Sequence, residues 1–370
     1  MFDETLRIGR PAGLVDQVHG GPLARADGDL HRQFGRQGVD VHQVVADLVA
    51  RGRVGGVLAA GGSGGSSIAG QVMAALPVGL PKLLVSTMAS GDVSPYVGAK
   101  DVCIMYSVVD VAGINRISRL VLGNAAAAMA GMVAAREQAA PGQAAAEDRP
   151  LVAASMFGVT TPAVDSARAR LAELGYEVLV FHATGAGGRA LEALAEARLV
   201  SGVLDLTTTE LADDLVGGVL SAGPDRLTAA GAAGLPQVIA PGALDMVNFG
   251  PLGTVPEKFI GRLFFEHNPT VTLMRTTAEE MAELGARIGR KAVTAEGPTQ
   301  VFWPDRGVSA LDADGQPFRD QAADEACRTA LDRELTAAGQ TLHRVDAHIN
   351  DPAFAVTMAD RLHQMITDGS

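Results

Sequence analysis

The chain has 370 residues, of which 47% are hydrophobic and 4% aromatic, and its formal net charge is −12. This length predicts about two domains, each with its own hydrophobic core. A core of aliphatic rather than aromatic residues is typical of buried parallel strands covered by helices. The acidic balance, and the lack of any basic run interleaved with aromatic residues, argue against a nucleic-acid partner.

The two cysteines and the start of the chain bear on the cellular compartment. Cys103 and Cys327 lie far apart without the spacing of a metal site, which favours a reducing compartment and no structural zinc. The first residues lack the basic and apolar regions of a signal peptide. The weakly polar run 120–135 is too short to span a bilayer. We therefore expect a cytoplasmic protein that does not enter a membrane.

The first part of the chain alternates strand and helix patterns after an irregular start. Apolar runs at 54–60, 82–87 and 102–109 predict strands, and the Ala-rich stretch 114–136 predicts a long helix. Residues 1–137 are the predicted N-terminal nucleotide-binding domain. Residues 138–150 mix Ala, Gly, Pro and charges without periodicity, which is typical of a linker.

Residues 151–370 repeat the alternation and form the predicted C-terminal domain. Strands that alternate with helices pair in parallel through right-handed crossovers. The fold class is therefore α/β, with two Rossmann-like, doubly wound domains and mainly parallel sheets. Ligands are expected beyond the carboxyl ends of the strands. The predicted strands are 151–157, 178–182, 202–206, 237–240, 271–275, 300–303 and 341–345, and the helices 162–174, 189–197, 211–220, 278–293, 320–338 and 353–366.

A glycine- and serine-rich loop follows the first clear strand. Glycines let backbone amides approach an anion, and the helix predicted to begin near Ser66 would turn its unpaired N–H groups toward it. This pattern favours a phosphate over a plain turn with a serine N-cap. The loop is not a Walker A sequence, and Ser67 stands where the dinucleotide fingerprint requires Gly or Ala. The predicted phosphate-binding residues are Gly61, Gly62, Ser63, Gly64, Gly65, Ser66 and Ser67.

The loop after the second strand is the next candidate for nucleotide contacts. Asp92 is placed to hold magnesium or a ribose, although an Asx turn that caps its own backbone explains it equally well. Arg116 and Arg119 share one face of the following helix start and suit a phosphate or a partner carboxylate. The cofactor-binding candidates here are Thr87, Met88, Ser90, Gly91, Asp92 and Arg116.

A second glycine-rich loop follows the strand at 178–182. Gly185, Gly187 and Ala190 match the dinucleotide fingerprint, and Asp205 lies where a ribose-binding acid would sit. The fingerprint normally follows the first strand of a sheet, however, so a general anion site is favoured over a nicotinamide site. Glu210 is also explained by a capping box with Thr207. The second anion site is predicted to comprise Thr184, Gly185, Gly187, Gly188, Arg189, Glu210 and Arg275.

Three residues in later loops are the candidates for catalysis. Asp245 and Asn248 lie in the predicted loop 241–250, where they are either site residues or turn-formers. His267 lies in the predicted loop 266–269 and suits an acid, a base or a phosphate donor. Asp346, His348 and Asn350 alternate as metal ligands would, but a hydrogen-bonded His348 is the commoner outcome, so no metal site is predicted.

Taken together, several segments resemble one family closely. They are 61–65, 86–92, 105–110, 115–119 and 346–352, supported by 241–250 and 267–269. They are similar to the Tm-1-like ATP-binding proteins, also called UPF0261. The resemblance implies two Rossmann-like domains, a homodimer, and ATP with magnesium in the first domain. Family members usually begin with a further strand and a Gly-Thr-Leu-Asp-Thr-Lys-Gly-like loop, which have no counterpart before residues 1–3 of this sequence. Two explanations stay open: either the sequence starts late, or this member lacks the first strand of the N-terminal domain and with it part of the nucleotide site.

The sequence leads to one principal functional hypothesis and two alternatives. The principal one is an ATP-binding protein that holds phosphates on residues 61–67. In its enzymatic form, Asp245, Asn248, His267 and the second loop gather a small carboxylate or phosphorylated metabolite at an interdomain cleft. One alternative is a non-catalytic nucleotide-binding dimer that acts through protein partners. The other is an NAD-dependent oxidoreductase that uses residues 185–190.

Overall fold

The computed structural model describes residues 6–8, 41–111, 113–138 and 149–369. The chain divides into two compact units, Met1–Asp148 and Arg149–Ser370. The predicted linker, 138–150, spans this division, and its residues 139–148 lie outside the described residues. The predicted beginning of the first domain also lies outside them, apart from residues 6–8. Each unit is described by itself below.

The first unit is built on a four-stranded sheet. Its order is β1-β2-β3-β4, formed by β1 (Leu6–Ile8), β2 (Val57–Gly61), β3 (Lys82–Ser86) and β4 (Cys103–Tyr106). Strands β2, β3 and β4 are parallel, as the sequence predicts. Strand β1 runs antiparallel to β2, with Leu6 opposite Ala59. A three-residue strand is too short to produce a recognisable hydrophobic pattern, so β1 was not predictable.

Helices cover both faces of this sheet, because residues on successive positions of a strand point to opposite sides. Val57, Ala59 and Leu84 belong to a core cluster with the helices on one face. Leu83 and Val85 pack with Ala125 of the long helix on the other face. The helices are α1 (Val41–Ala50), α2 (Ser63–Ala74), α3 (Ser94–Val97) and α4 (Arg116–Gln138).

Helix α4 is longer than the apolar run seen in the sequence. Its 23 residues make it long and apolar enough, by length and composition alone, to cross a membrane, whereas the run 120–135 taken from the sequence is too short. Ala125 in its middle is fully buried against the sheet, so one face of α4 belongs to the core of the unit. Helices of protein cores pass the same test, so this helix alone is weak evidence for a membrane location.

The second unit is built on a six-stranded sheet in which every paired neighbour is parallel. The order β13-β12-β8-β7-β5-β6 places β5 between β6 and β7. The chain therefore reverses its direction of winding beside β5, which makes the carboxyl ends of β5 and β7 the topological switch point. The strands are β5 (Leu151–Met156), β6 (Glu177–His182), β7 (Gly202–Thr207), β8 (Gln237–Gly242), β12 (Thr299–Pro304) and β13 (Leu342–Val345).

The helices of the second unit follow the predicted alternation closely. Those that pack on the sheet bury alanine, leucine and methionine side chains against its aliphatic residues, which accounts for a core with few aromatic rings. The helices are α5 (Thr161–Glu173), α6 (Ala186–Glu196), α7 (Glu210–Val216), α8 (Ala229–Ala232), α9 (Ala278–Val293), α10 (Gln321–Ala337) and α11 (Pro352–Asp368).

A separate antiparallel sheet interrupts the doubly wound pattern. It has the order β10-β11-β9, formed by β9 (Met246–Phe249), β10 (Phe264–Asn268) and β11 (Val271–Arg275). The predicted strand 271–275 is confirmed, but the predicted loops 241–250 and 266–269 are wrong because each contains strand residues. All four residues of β9 are buried, so this strand lacks the alternation of polar and apolar residues that marks a half-exposed strand.

Candidate functional site

The carboxyl edge of the first sheet carries the predicted phosphate-binding loop. Strand β2 ends at Gly61, and α2 begins at Ser63 rather than near Ser66 as predicted. Its N-cap is Gly62, and no side chain caps the helix there. The amides of a first helical turn have no acceptor within the helix. The glycines and serines thus form the beginning of α2 itself, with the positive end of the helix dipole at the edge of the sheet.

The glycines of this segment differ in whether the surrounding protein atoms leave room for a side chain. A Cβ atom on Gly61 would lie 2.9 Å from the Cα of Gly65, so the turn into α2 needs glycine at position 61. A Cβ on Gly62 would meet only the Oγ1 of Thr87, at 3.9 Å, and one on Gly64 would meet nothing within 4 Å. Packing explains Gly61, but it does not explain Gly64. The space in front of Gly64 is available to a ligand.

The serines of the same segment also divide into two kinds. Ser63 and Ser67 are exposed at the beginning of α2. Ser66 is fully buried, and its hydroxyl lies 2.6 Å from the hydroxyl of Ser86 at the end of β3. Ser66 therefore joins α2 to the sheet and does not face a ligand, which corrects its assignment as a phosphate-binding residue.

The turn after β3 lies beside the beginning of α2, because the amide of Thr87 donates to the carbonyl of Gly61 at 3.3 Å. The side chains at Met88, Ser90 and Asp92 are exposed, as is Gly91. The Oδ1 of Asp92 accepts from the amide of Ser94 at 2.9 Å, which is the Asx turn considered above. This bond lowers the pKa of the Asp92 carboxyl. The carboxylate therefore stays ionised at neutral pH.

Arg116 is exposed at the first position of α4. The side chain of Asn115 caps this helix, because its Oδ1 accepts from the amides of Ile117 and Ser118 at 2.9 Å. Arg116 is thus held at a capped helix start, in the same unit as the beginning of α2.

In the second unit, the predicted anion loop is filled by the carboxylate of Glu210. The Oε1 of Glu210 accepts from the amide of Gly185 at 2.6 Å and from the amide of Gly188 at 3.0 Å. Its Oε2 accepts from the Nε of Arg226 at 2.6 Å. The capping-box interpretation of Glu210 is therefore wrong, since its side chain reaches the start of α6 instead of its own helix. The prediction of an external anion at these amides is wrong for the same reason.

The glycines of this loop are explained by close packing. Gly185 has a φ of +79°, a Cβ on Gly187 would lie 1.9 Å from the carbonyl oxygen of His182, and one on Gly188 would lie 2.1 Å from the Oε2 of Glu210. The exposed Arg189 donates to the carbonyl of Ser221 at 3.0 Å. The hydroxyl of Thr184 donates to the carbonyl of His182 at 3.2 Å. The fingerprint spacing thus reflects the packing of α6, which removes the main argument for a dinucleotide.

Asp205 also has an internal partner. Arg226 donates from Nη1 to Oδ2 of Asp205 at 2.5 Å and from Nη2 to Oδ1 at 2.6 Å, and both residues are almost completely buried. Ser155 donates a further bond to Asp205 at 2.7 Å. A buried, fully paired carboxylate cannot bind a ribose hydroxyl. Neither Asp205 nor the glycine spacing at 185–190 therefore supports the nicotinamide alternative. The sequence does not predict the role of Arg226, because this residue lies outside any motif.

Asp245 lies in a cluster of mostly buried charged residues, whose other members are Arg275, Arg319, Asp312 and Asp324. Its Oδ2 accepts from the hydroxyl of Ser309 at 2.7 Å, and its Oδ1 has no hydrogen-bond partner among the described residues. Arg275 donates to Asp324 at 3.1 Å and lies 3.8 Å from Asp312. Arg275 therefore belongs to this cluster and not to the Gly185 loop, which corrects its assignment to the second anion site.

Burial is the main reason why the carboxyl groups of this cluster have raised pKa values. It raises the pKa of Asp245 to about 7, with a further contribution from the nearby charge of Asp312. Burial and the charge of Asp312 likewise raise the pKa of Asp324 to about 8. Carboxyl groups with such values exchange protons near neutral pH, as catalytic acids and bases do.

Asn248 forms a different contact, with Asp213 of α7. The backbone amide and the Nδ2 of Asn248 donate to the Oδ1 of Asp213 at 2.8 and 3.1 Å. The Oδ1 of Asn248 is buried without a partner in the part of the chain that the structure describes. Burial raises the pKa of Asp213 to about 7. Asn248 is thus a candidate ligand-binding residue whose amide orientation is fixed by Asp213.

His267 is not joined to these groups. It is exposed on β10, at the residue where the pairing of β10 with β11 shifts between Glu266 and Asn268. Within the described ranges, no hydrogen bond or ion pair connects it with Asp245 or Asn248. The structure therefore does not bring the three predicted catalytic residues into one constellation.

The alternating residues near the end of β13 do not form a metal site. Asp346 pairs with Arg306, from whose Nε it accepts at 2.8 Å. The Nε2 of His348 lies 2.8 Å from the carbonyl oxygen of Ser309, and Asn350 donates to the carbonyl of Val159 at 2.9 Å. Over residues 6–8, 41–111, 113–138 and 149–369, no group of three or more His, Cys, Asp or Glu residues is arranged to hold a metal ion.

Several proteins of known sequence or structure are similar to this chain. A solved esterase domain from a Rhodothermus marinus protein covers 58% of this chain with a TM-score of 0.32 and 15% identity, which supports no functional argument. A UPF0261 protein of Clostridium tetani is 50% identical over 323 residues, spanning 87% of this chain and 79% of that protein. A UPF0261 protein of Mesorhizobium japonicum is 49% identical over 311 residues, spanning 84% of this chain and 77% of that protein.

A plant protein is also similar. The ToMV resistance protein Tm-1(GCR237) of Solanum lycopersicum is 44% identical over 310 residues, which span 82% of this chain and 41% of the tomato protein. Residues 25–138 match the description "Uncharacterised protein family (UPF0261) N-terminal domain", and residues 149–366 match the corresponding C-terminal domain. The predicted family resemblance is thereby confirmed, and the chain belongs to the UPF0261 family.

Proposed function

We propose that this protein binds ATP, with the phosphates at the beginning of α2. The observation that carries the proposal is Gly64, an exposed glycine in the first turn of an uncapped helix, where a Cβ would meet nothing within 4 Å. The positive end of a helix dipole suits a phosphate, and the amides of Ser63 and Gly64, at the first two positions of α2, have no acceptor within the helix. Ser63 and Ser67 add exposed hydroxyl donors within the first five residues of the helix.

The neighbouring turn supplies groups for the rest of the nucleotide. Asp92 is exposed and ionised, and magnesium in nucleotide sites is commonly held by one or two carboxylates together with the phosphates. Ser90 and Thr87 offer hydroxyl groups on the same turn. Exposed Arg116 adds a positive charge in this unit. In a protein with a net charge of −12, such local donors are what would hold an anionic ligand.

Calorimetric titration of magnesium–ATP into wild type and Gly64→Ala tests this function. Because the added methyl group meets no protein atom, Gly64→Ala should leave the fold intact and weaken ATP binding at least tenfold. Gly123→Ala in α4 is the matched control, since a Cβ there also meets nothing within 4 Å. That variant should bind ATP as wild type does. If wild type does not bind ATP, or if the two variants behave alike, the proposal fails.

A second candidate is an ATP-dependent enzyme that acts on a small carboxylate or phosphorylated metabolite. The observation that favours it is Asp245, a buried carboxyl group with an unpartnered Oδ1 and a pKa of about 7. Release of ADP or AMP that depends on an added carboxylate, and that is lost in Asp245→Asn while ATP binding persists, would support it. ATP binding without turnover over a broad metabolite panel would favour the non-catalytic dimer.

A further inference from the structure

Exposed apolar side chains cluster at the carboxyl edge of the first sheet, beyond the beginning of α2. Met88 follows β3, and Tyr106 and Val108 lie at and after the end of β4, with exposed fractions of 41%, 44% and 58%. Ser86 lies opposite Tyr106 in the parallel pair, and the amide of Ser107 donates to the carbonyl of Ser86 at 3.1 Å. The two turns that carry these side chains are therefore neighbours. Large apolar groups at such an edge leave apolar surface open to a ligand.

The turn at Val108 is held in an uncommon conformation. Val108 has a φ of +66°, which β-branched residues rarely adopt. The amide of Val109 donates to the carbonyl of Ser107 at 2.7 Å, and the hydroxyl of Ser107 donates to the carbonyl of Val109 at 2.7 Å. These two bonds fix the turn, which leaves the Val108 side chain largely exposed instead of folding it into the core.

The distance along the edge fits a nucleotide. Strand β3 separates β2 from β4, so their carboxyl ends lie two strand spacings, or about 10 Å, apart. A molecule with its phosphates at the beginning of α2 would cross the turn 87–92 with its ribose. Its base would then reach Tyr106 and Val108.

We propose that Tyr106, Val108 and Met88 bind the base of the nucleotide. This inference rests on the proposed function, because it extends the same ligand from its phosphates to its base. Every base has an aromatic face that stacks on a tyrosine ring, and valine and methionine contact that face without reading its edges. The cluster thus distinguishes a nucleotide from a polyphosphate chain, which the beginning of α2 alone does not.

Calorimetric titration of magnesium–ATP and of magnesium–tripolyphosphate separates the two parts of the site. Wild type should bind ATP at least tenfold more tightly than tripolyphosphate. Tyr106→Ala should weaken ATP about tenfold and leave tripolyphosphate within twofold, since base stacking is lost and the phosphate contacts remain. Val108→Asn should weaken ATP selectively without loss of thermal stability, because asparagine accepts a positive φ more readily than valine.

Leu120→Ala is the control for these variants. Leu120 is exposed on α4, with an exposed fraction of 62%, and its replacement should change neither titration. The base site is overturned if wild type binds ATP and tripolyphosphate equally, or if Tyr106→Ala weakens both alike; in both cases the phosphate site stands. It is also overturned if Tyr106→Ala dissociates an oligomer in sedimentation while ATP affinity is unchanged. Binding of neither compound by wild type refutes the proposed function and this inference together.

Discussion

Glu210 and Gly188 are in direct contact in the second unit, with the Oε1 of Glu210 accepting from the amide of Gly188 at 3.0 Å. The carboxylate stands where an external anion would sit at the start of α6. The Glu210 carboxylate compensates the positive end of the α6 dipole, and its second oxygen pairs with Arg226. The charges at this helix start are therefore balanced within the chain. The two units thus use glycine-rich helix starts differently: at α2 the first turn has no side-chain cap, and at α6 the chain supplies its own anion.

Replacing Glu210 by alanine should destabilise the protein by about 3–5 kcal/mol, because Arg226 would lose a buried partner and two amides would lose their acceptor. Urea denaturation measures this change. Glu173→Ala is the control, since Glu173 pairs with Arg170 at an exposed position and its loss should change stability by less than about 1 kcal/mol. Formate or acetate in the buffer should restore part of the stability of Glu210→Ala only. Equal effects of the two substitutions would contradict the internal-anion assignment.

Gly188→Ala should destabilise the second unit even though alanine is a better helix former than glycine. A Cβ at this position would lie 2.1 Å from the Oε2 of Glu210, so the carboxylate would have to leave the amides. We expect a loss of at least about 1–3 kcal/mol, as for other overpacked sites, measured by thermal denaturation. Gly158→Ala, where a Cβ meets nothing within 4 Å, is the control and should be close to neutral.

Ser66→Ala should lower stability by about 1 kcal/mol through the loss of its hydrogen bond with Ser86, and should leave ATP affinity unchanged. Ser63→Ala should show the opposite pattern. Ser63 is exposed at the beginning of α2, so its replacement should leave stability unchanged and weaken ATP by about tenfold, in line with a hydrogen bond to a charged group. Denaturation and titration of both variants check this pair. A loss of ATP binding in Ser66→Ala alone would reverse the assignment.

The stability of the protein should rise as the pH falls from about 8 to 5. The pKa values of Asp213 and Asp245 are raised from 3.8 to about 7, so the folded state binds more protons than the unfolded state between these values. Their contribution is fully present below pH 4 and is lost as the pH rises through 7. Each proton adds a slope of up to about 1.4 kcal/mol per pH unit.

Asp245→Asn should reduce this slope, because it removes one of the titrating groups. Urea denaturation at a series of pH values measures the slopes of wild type and variant. Exposed Asp165, whose carboxylate lies 3.6 Å from Arg168 on the surface of α5, offers a control substitution that should leave the slope unchanged. A stability that is flat or rises between pH 5 and 8 would contradict the raised pKa values.

The alternation of strands and helices was predictable wherever each element buries one side of an aliphatic pattern. The predicted strand 271–275 and helix 278–293 match β11 and α9 at both ends. A capping box at Thr277 and Glu280 fixes the start of this helix. Strand β9 was not predictable, since four buried residues carry no periodicity. Its pairing with β11 depends on a contact between residues more than twenty positions apart.

The candidate sites were predictable as places in the fold, but not as sets of partners. The glycines at 61–65 and 185–188 both lie at helix starts, as their sequences indicate. Glu210 fills one of these helix starts although it lies 22 positions from Gly188 in the sequence. Its position also depends on Arg226, which no local sequence pattern marks as its partner. Ser66 and Ser67 are adjacent in sequence, yet one is buried and the other exposed because they lie on different sides of α2.

The antiparallel sheet of the second unit lies between β8 and α9 in the chain, yet its two faces contribute to different parts of the core. Val247, Phe249 and Met274 pack into one hydrophobic cluster, whereas Met246 and Leu273 pack into another. Deleting residues 246–275 would therefore open both clusters at once. We expect the whole of the second unit to melt in a single cooperative transition, with no intermediate in which this sheet alone has come apart.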